Sequence, residues 1–96
     1  MTNAFRPTGN GVTSSSNSSA ERLTLPAGNG YAFRFQVENT AGVYIKFGDS
    51  SVTASSSNFD AYLPPSIVEV LAAEPEDTHI SILGGSTVRI NRGVGI

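Results

Sequence analysis

The sequence predicts an all-β protein: a small antiparallel β-sandwich, jelly-roll-like, with an extended polar N-terminal arm. Three observations lead there. Two segments, "YAFRFQVE" at 31–38 and "VYIKF" at 43–47, alternate apolar and polar residues, and a period of two marks half-buried strands. Clusters of Gly, Pro, Asn, Ser and Asp interrupt the chain about every 8 to 12 residues, dividing it into about eight short strands. No segment carries helical periodicity. Such a pattern suits a sandwich or a small barrel, and the jelly-roll-like sandwich is the expected form.

The chain has 96 residues, enough for one domain that buries about 65% of its unfolded surface. Residues 7–20, "PTGNGVTSSSNSSA", are too polar to offset their ordering entropy by burial. Residues 1–20 are therefore expected to be a polar arm without a core to join, and 21–96 the sandwich domain.

The elements follow in order. "RLTL" is a short strand that ends at Pro26 and the turn-rich "PAGNG". In 31–38, Tyr31, Phe33, Phe35 and Val37 share one face, with Ala32, Arg34, Gln36 and Glu38 opposite. "NTAG" turns the chain, and "VYIKF" returns with Val43, Ile45 and Phe47 inward. These two strands are expected to pair and to form one aromatic sheet face. "SVTA" is a short β piece, and "FDAYL" stops at Pro64-Pro65, which belong at an edge or corner. In "SIVEVL", Val68 and Val70 share one face while Ile67 and Leu71 flank Glu69 on the other. "THISIL" and "STVRIN" meet across Gly84-Gly85, a hairpin signal.

Composition removes several functions. There are no cysteines and one histidine, so disulfides, thiolate sites and an ordinary zinc site are not expected, nor is any cofactor. Six basic and eight acidic residues give a net charge of −2, and the arginines are scattered, which disfavours nucleic acid. No apolar run approaches the roughly 18 residues of a membrane span. The opening "MTNAFRPTGN" lacks the apolar core of a signal peptide, so synthesis and assembly in a cytoplasm are expected.

Gly48-Asp49-Ser50 resembles the nucleophile block of GDSL-type hydrolases in three letters only. That family has an Asp-x-x-His pair near its end, whereas Asp77 stands two residues before His79. A nucleophilic serine also needs a base in reach and an oxyanion hole. Ser50 is therefore read as a turn residue, and no enzyme is expected. The carboxylates Glu74, Glu76 and Asp77 are interrupted by Pro75 and read as a solvated turn rather than a calcium loop.

From residue 23 onward the chain resembles small β-sandwich virion proteins of tailed bacteriophages, of the capsid cement or decoration type. The residues that carry the likeness are Val37-Glu38-Asn39, Phe47-Gly48, Pro64-Pro65, Thr78-His79-Ile80 and Gly93 to Gly95. The resemblance implies a structural virion protein that stabilises the head by binding the major capsid protein and neighbouring copies, as a homotrimer or homodimer. A tail, neck or fibre adaptor of the same virion is the alternative, with a carbohydrate-binding sandwich behind it. Independently of the likeness, Ile67, Leu71, Leu83 and Tyr44 suggest a second apolar face open to a partner. Phe5 is the one large aromatic of the arm, and Val94 and Ile96 give an apolar tail. Phe5, Ile67, Leu71, Leu83, Val94 and Ile96 are the expected partner contacts.

Overall fold

The computed structural model describes residues 5–15 and 17–95. Within them lie nine strands: β1 (Arg6–Pro7), β2 (Val12–Ser14), β3 (Asn17–Thr24), β4 (Ala32–Val37), β5 (Val43–Gly48), β6 (Ala61–Leu63), β7 (Val68–Ala72), β8 (His79–Gly84) and β9 (Val88–Val94). They form two antiparallel sheets. One runs β1–β9–β4–β7, with β2 also on β9, and the other runs β3–β8–β5–β6. Taking β1 and β2 as two stretches of one interrupted edge strand, every later link except β5–β6 crosses from sheet to sheet. That is the jelly roll.

This topology corrects two expected pairings. β4 and β5 are not hydrogen-bonded neighbours, nor are β8 and β9; each pair is divided between the sheets. The aromatics of β4 and β5 therefore meet face to face across the sandwich rather than side by side. The Phe47 ring lies 5.8 Å from Phe33 and 6.2 Å from Phe35. Ser86, 1% exposed, holds the two sheet-crossing links together. Its Oγ accepts the N–H of Ala41 at 2.7 Å and lies 2.6 Å from the Ala41 carbonyl, to which it can donate.

The expected inward residues do form the core. Phe33, Phe35 and Val37 of β4 and Val88 and Ile90 of β9 face Val43, Ile45, Leu63, Ile80 and Ile82 of the opposite sheet, with Phe47, Leu23 and Val12 at the margin. Tyr31 differs. It precedes β4 and is 47% exposed.

The polar N-terminal stretch is extended, but its described residues belong to the sandwich. Val12, Thr13 and Ser14 pair with Ile90, Arg89 and Val88, and β3 begins at residue 17, its pairing with β8 shifting register between Asn17 and Glu21. Backbone pairing needs no apolar side chains, and a composition argument is blind to it. Val12 supplies a core contact and Ser14 is fully buried, its hydroxyl donating to Glu21 at 2.8 Å.

"SVTA" is not a strand either. The chain from Asp49 to Asp60 crosses the outer face of the second sheet, where Val52 and Ala54 are buried. Ser81 Oγ accepts the Ala54 N–H at 2.9 Å, and Arg22 donates to the Val52 carbonyl at 2.7 Å.

Candidate functional site

Residues paired across neighbouring strands share a face of the sheet. On the outer face of the second sheet, Tyr44 of β5 pairs with Tyr62 of β6 on one side and Leu83 of β8 on the other. Phe59, from the loop ahead of β6, adds a third ring. Its centroid is 4.9 Å from that of Tyr44, and Tyr62 is 5.0 Å from Tyr44, with ring planes at 57° and 53°. Phe59 and Tyr62 are 41% and 46% exposed. Three touching aromatics on a surface contrast with Phe33 and Phe35, which are wholly buried.

The scaffold beneath these rings is rigid. The Asp60 N–H donates to the Ile45 carbonyl at 2.7 Å, and Asp60 Oδ2 accepts the Phe47 N–H at 2.9 Å. Ser55 and Asn58 exchange backbone hydrogen bonds at 2.9 and 3.2 Å, closing the turn that presents Phe59. The Tyr62 hydroxyl lies over Gly42, where any Cβ would collide with it. Lys46, also outward, forms an ion pair with Asp60 at 3.5 Å.

The six residues expected to contact a partner are distributed over the molecule. Ile67 and Leu71 are partly buried against the core, so part of their apolar surface is used within the chain. Leu83 is half-buried beside Tyr44. Phe5 and Val94 lie at the same sheet edge: Val94 pairs with Arg6, and the Phe5 ring lies so close to Gly93 that a Cβ there would strike it. Val94 is 43% exposed and lines a hollow of about 520 Å³ with Arg6, Pro7, Thr8 and Asn29. Ile96 lies outside the described residues.

The polar groups considered for chemistry are engaged locally. Asp49 accepts the hydroxyl and the N–H of Ser51 at 2.7 and 2.9 Å. These two bonds, the hydroxyl's first, hold its carboxyl below the usual aspartate range. His79 Nδ1 lies 2.8 Å from the Thr78 hydroxyl, and Ser50 is exposed in the Asp49 turn. Asp77 accepts the Glu74 N–H at 2.9 Å. Both acids line a second cleft, of about 360 Å³, between β6 and β7, floored by Phe47 and Leu71. Among the described residues, no group of three acids or histidines is placed to hold a metal ion.

The sequence reading put Tyr44 on its second apolar face but missed the grouping with Phe59 and Tyr62. Its signal was present: Tyr44 occupies an outward position of an alternating strand, and Tyr62 follows two residues before the prolines. Searches against models of protein families, curated proteins and solved structures find no match to this chain.

Proposed function

We propose that the chain is a structural subunit of a tailed-phage virion, of the capsid cement or decoration type, that binds the major capsid protein and adjoining copies of itself. The observation that supports this most directly is the corner where β1 and β9 pair. There Phe5 packs on Gly93 while exposed Val94 pairs with Arg6 on the opposite face of the strands, so two separate parts of the sequence bring an apolar side chain to the same sheet edge. A subunit on a lattice gains from such small, repeated contacts, because linked sites multiply weak affinities. The jelly roll supplies a rigid body for them. Asp49 is bonded to Ser51 within its turn, and His79, the first residue of β8 and register partner of Gly48, is bonded to Thr78; neither is hydrogen-bonded to Ser50, which favours a binding role over hydrolysis there.

Purified particles should contain many copies of the chain on the head, and its addition to undecorated capsids should raise their thermal stability through linkage. The variant Phe5→Ala/Val94→Glu should keep the fold and lose capsid binding. Localisation to the tail or neck would replace the cement role with the adaptor role. Absence from particles would end both.

A further inference from the structure

The aromatic cluster lies diagonally across the molecule from the Phe5–Val94 corner, on the other sheet and toward the opposite edge. A subunit seated by that corner leaves the cluster facing away. We propose that Tyr44, Phe59 and Tyr62 form a platform that binds a neutral saccharide, one or two sugar rings at a time.

Size is the first argument. At roughly 200 Å² per aromatic side chain, the exposed fractions of Phe59 and Tyr62 offer about 170 Å². An area of that order is enough to stack a small ligand.

The second argument is chemical. Aromatic faces are electron-rich, and the C–H groups on one face of a pyranose are weakly positive and apolar, so the two stack. A sugar also needs hydroxyl partners at its rim. The Tyr44 and Tyr62 hydroxyls, Asn58 and the Asp60 carboxylate are the polar groups on or beside these rings, and Asn58 and Asp60 are exposed.

The third argument is electrostatic. A nucleotide would stack equally well, but its phosphates need an available cation. Lys46, the cation next to the rings, is already paired with Asp60 at 3.5 Å, and Asp60 would repel a phosphate. A ligand without charge avoids this conflict.

Preorganisation is the fourth. Tyr44 and Tyr62 stand on paired strands, and Phe59 is fixed by the Ser55–Asn58 turn and the Asp60 backbone bond. Little backbone ordering remains to oppose binding.

The test is titration calorimetry of the full chain with three neutral probes, cellohexaose, maltohexaose and chitohexaose, supported by intrinsic tyrosine fluorescence. At least one probe should bind with a dissociation constant below about 1 mM. Tyr62→Ala and Phe59→Ala should each weaken that binding about tenfold, the equivalent of one lost stacking contact. Tyr31→Ala, an exposed aromatic away from the platform, should leave it within about twofold, a difference too small for a lost contact. Far-UV circular dichroism and melting establish that each variant is folded, and either platform variant suffices if the other is not. The proposal is overturned if none of the three probes binds, or if both platform variants bind as tightly as the parent chain. Concentration-dependent dimers that dissociate on Tyr62→Ala would also overturn it, because a second copy would then be the occupant.

Discussion

The guanidinium of Arg92 lies over the ring of Phe33, its central carbon 5.3 Å from the ring centroid. The two residues are register partners on β9 and β4 and share the inward face of the first sheet. A charge at this position is tolerated because its head leaves the core at the end of the sandwich. There it donates to the Gly30 carbonyl at 2.7 Å and to the Pro26 carbonyl at 3.3 Å, and also lies over Tyr31 at 5.4 Å. One side chain thus closes the core and fixes the loop that leads into β4. Arg92→Lys keeps the charge but loses the planar fork and its stacking. Urea unfolding should show a loss of about 1–3 kcal/mol, the scale of charged hydrogen bonds to part-buried carbonyls. A loss below a few tenths would mean that the loop holds itself.

Phe35 occupies the middle of β4, has no exposed surface, and meets Phe47 edge-on across the sandwich. Phe35→Ala removes its contacts with both sheets and leaves a cavity that the neighbouring strands cannot fill. The expected cost is about 3–5 kcal/mol, seen as a lower urea midpoint at an unchanged slope. A large change in slope would instead indicate a chain that is no longer two-state.

The inward residues were legible because period two in 31–38 and 43–47 assigns faces without reference to partners. Strand pairing was not, since alternation says which side is buried and not which strand lies alongside. Hence "NTAG" and Gly84-Gly85 read as hairpins, although both are sheet-crossing links joined through Ser86. Burial of Val52 and Ala54 was hidden for a related reason. Their cover comes from the outer face of β8 and from Arg22, distant in sequence. The corner at Phe5 and Val94 was half visible: both residues were candidates, but only the β1–β9 register brings them to the same sheet edge. The Tyr44–Phe59–Tyr62 platform needed the β5–β6 pairing as well as the Ser55–Asn58 turn.

Asp49 gives a pH signature. Ser51's hydroxyl and backbone bonds lower its folded pKa, so its carboxylate stabilises the fold above the unfolded value of about 3.9. That contribution is lost as pH falls through the lower, folded value. The stability difference between the parent chain and Asp49→Asn should therefore be constant near neutrality and shrink in acid. An NMR titration should place the Asp49 midpoint below that of a free aspartate. A midpoint at or above the free value would show that the Ser51 bonds do not form in solution.

The N-terminal stretch separates composition from pairing most sharply. Its Ser, Asn and Gly content argues that residues 1–15 contribute nothing to stability. The register argues otherwise: Val12, Thr13 and Ser14 cover the outer edge of β9, Val12 touches the core, and Ser14 is fully buried. Deleting residues 1–15 leaves β9 as a bare edge and uncovers Val88 and Ile90, both fully buried in the intact chain. A loss of only about 2 kcal/mol would lower the melting temperature by roughly 8–16 °C in a domain of this size, and exposed edges also promote association. The truncated chain should therefore melt at least about 8 °C lower and tend to aggregate. Capsid binding by that truncation would then report on stability as much as on contact, which is why Phe5→Ala/Val94→Glu is the cleaner probe of the corner. A truncated chain that melts with the full-length one would mean that β1 and β2 add no stability, and the composition argument would prevail.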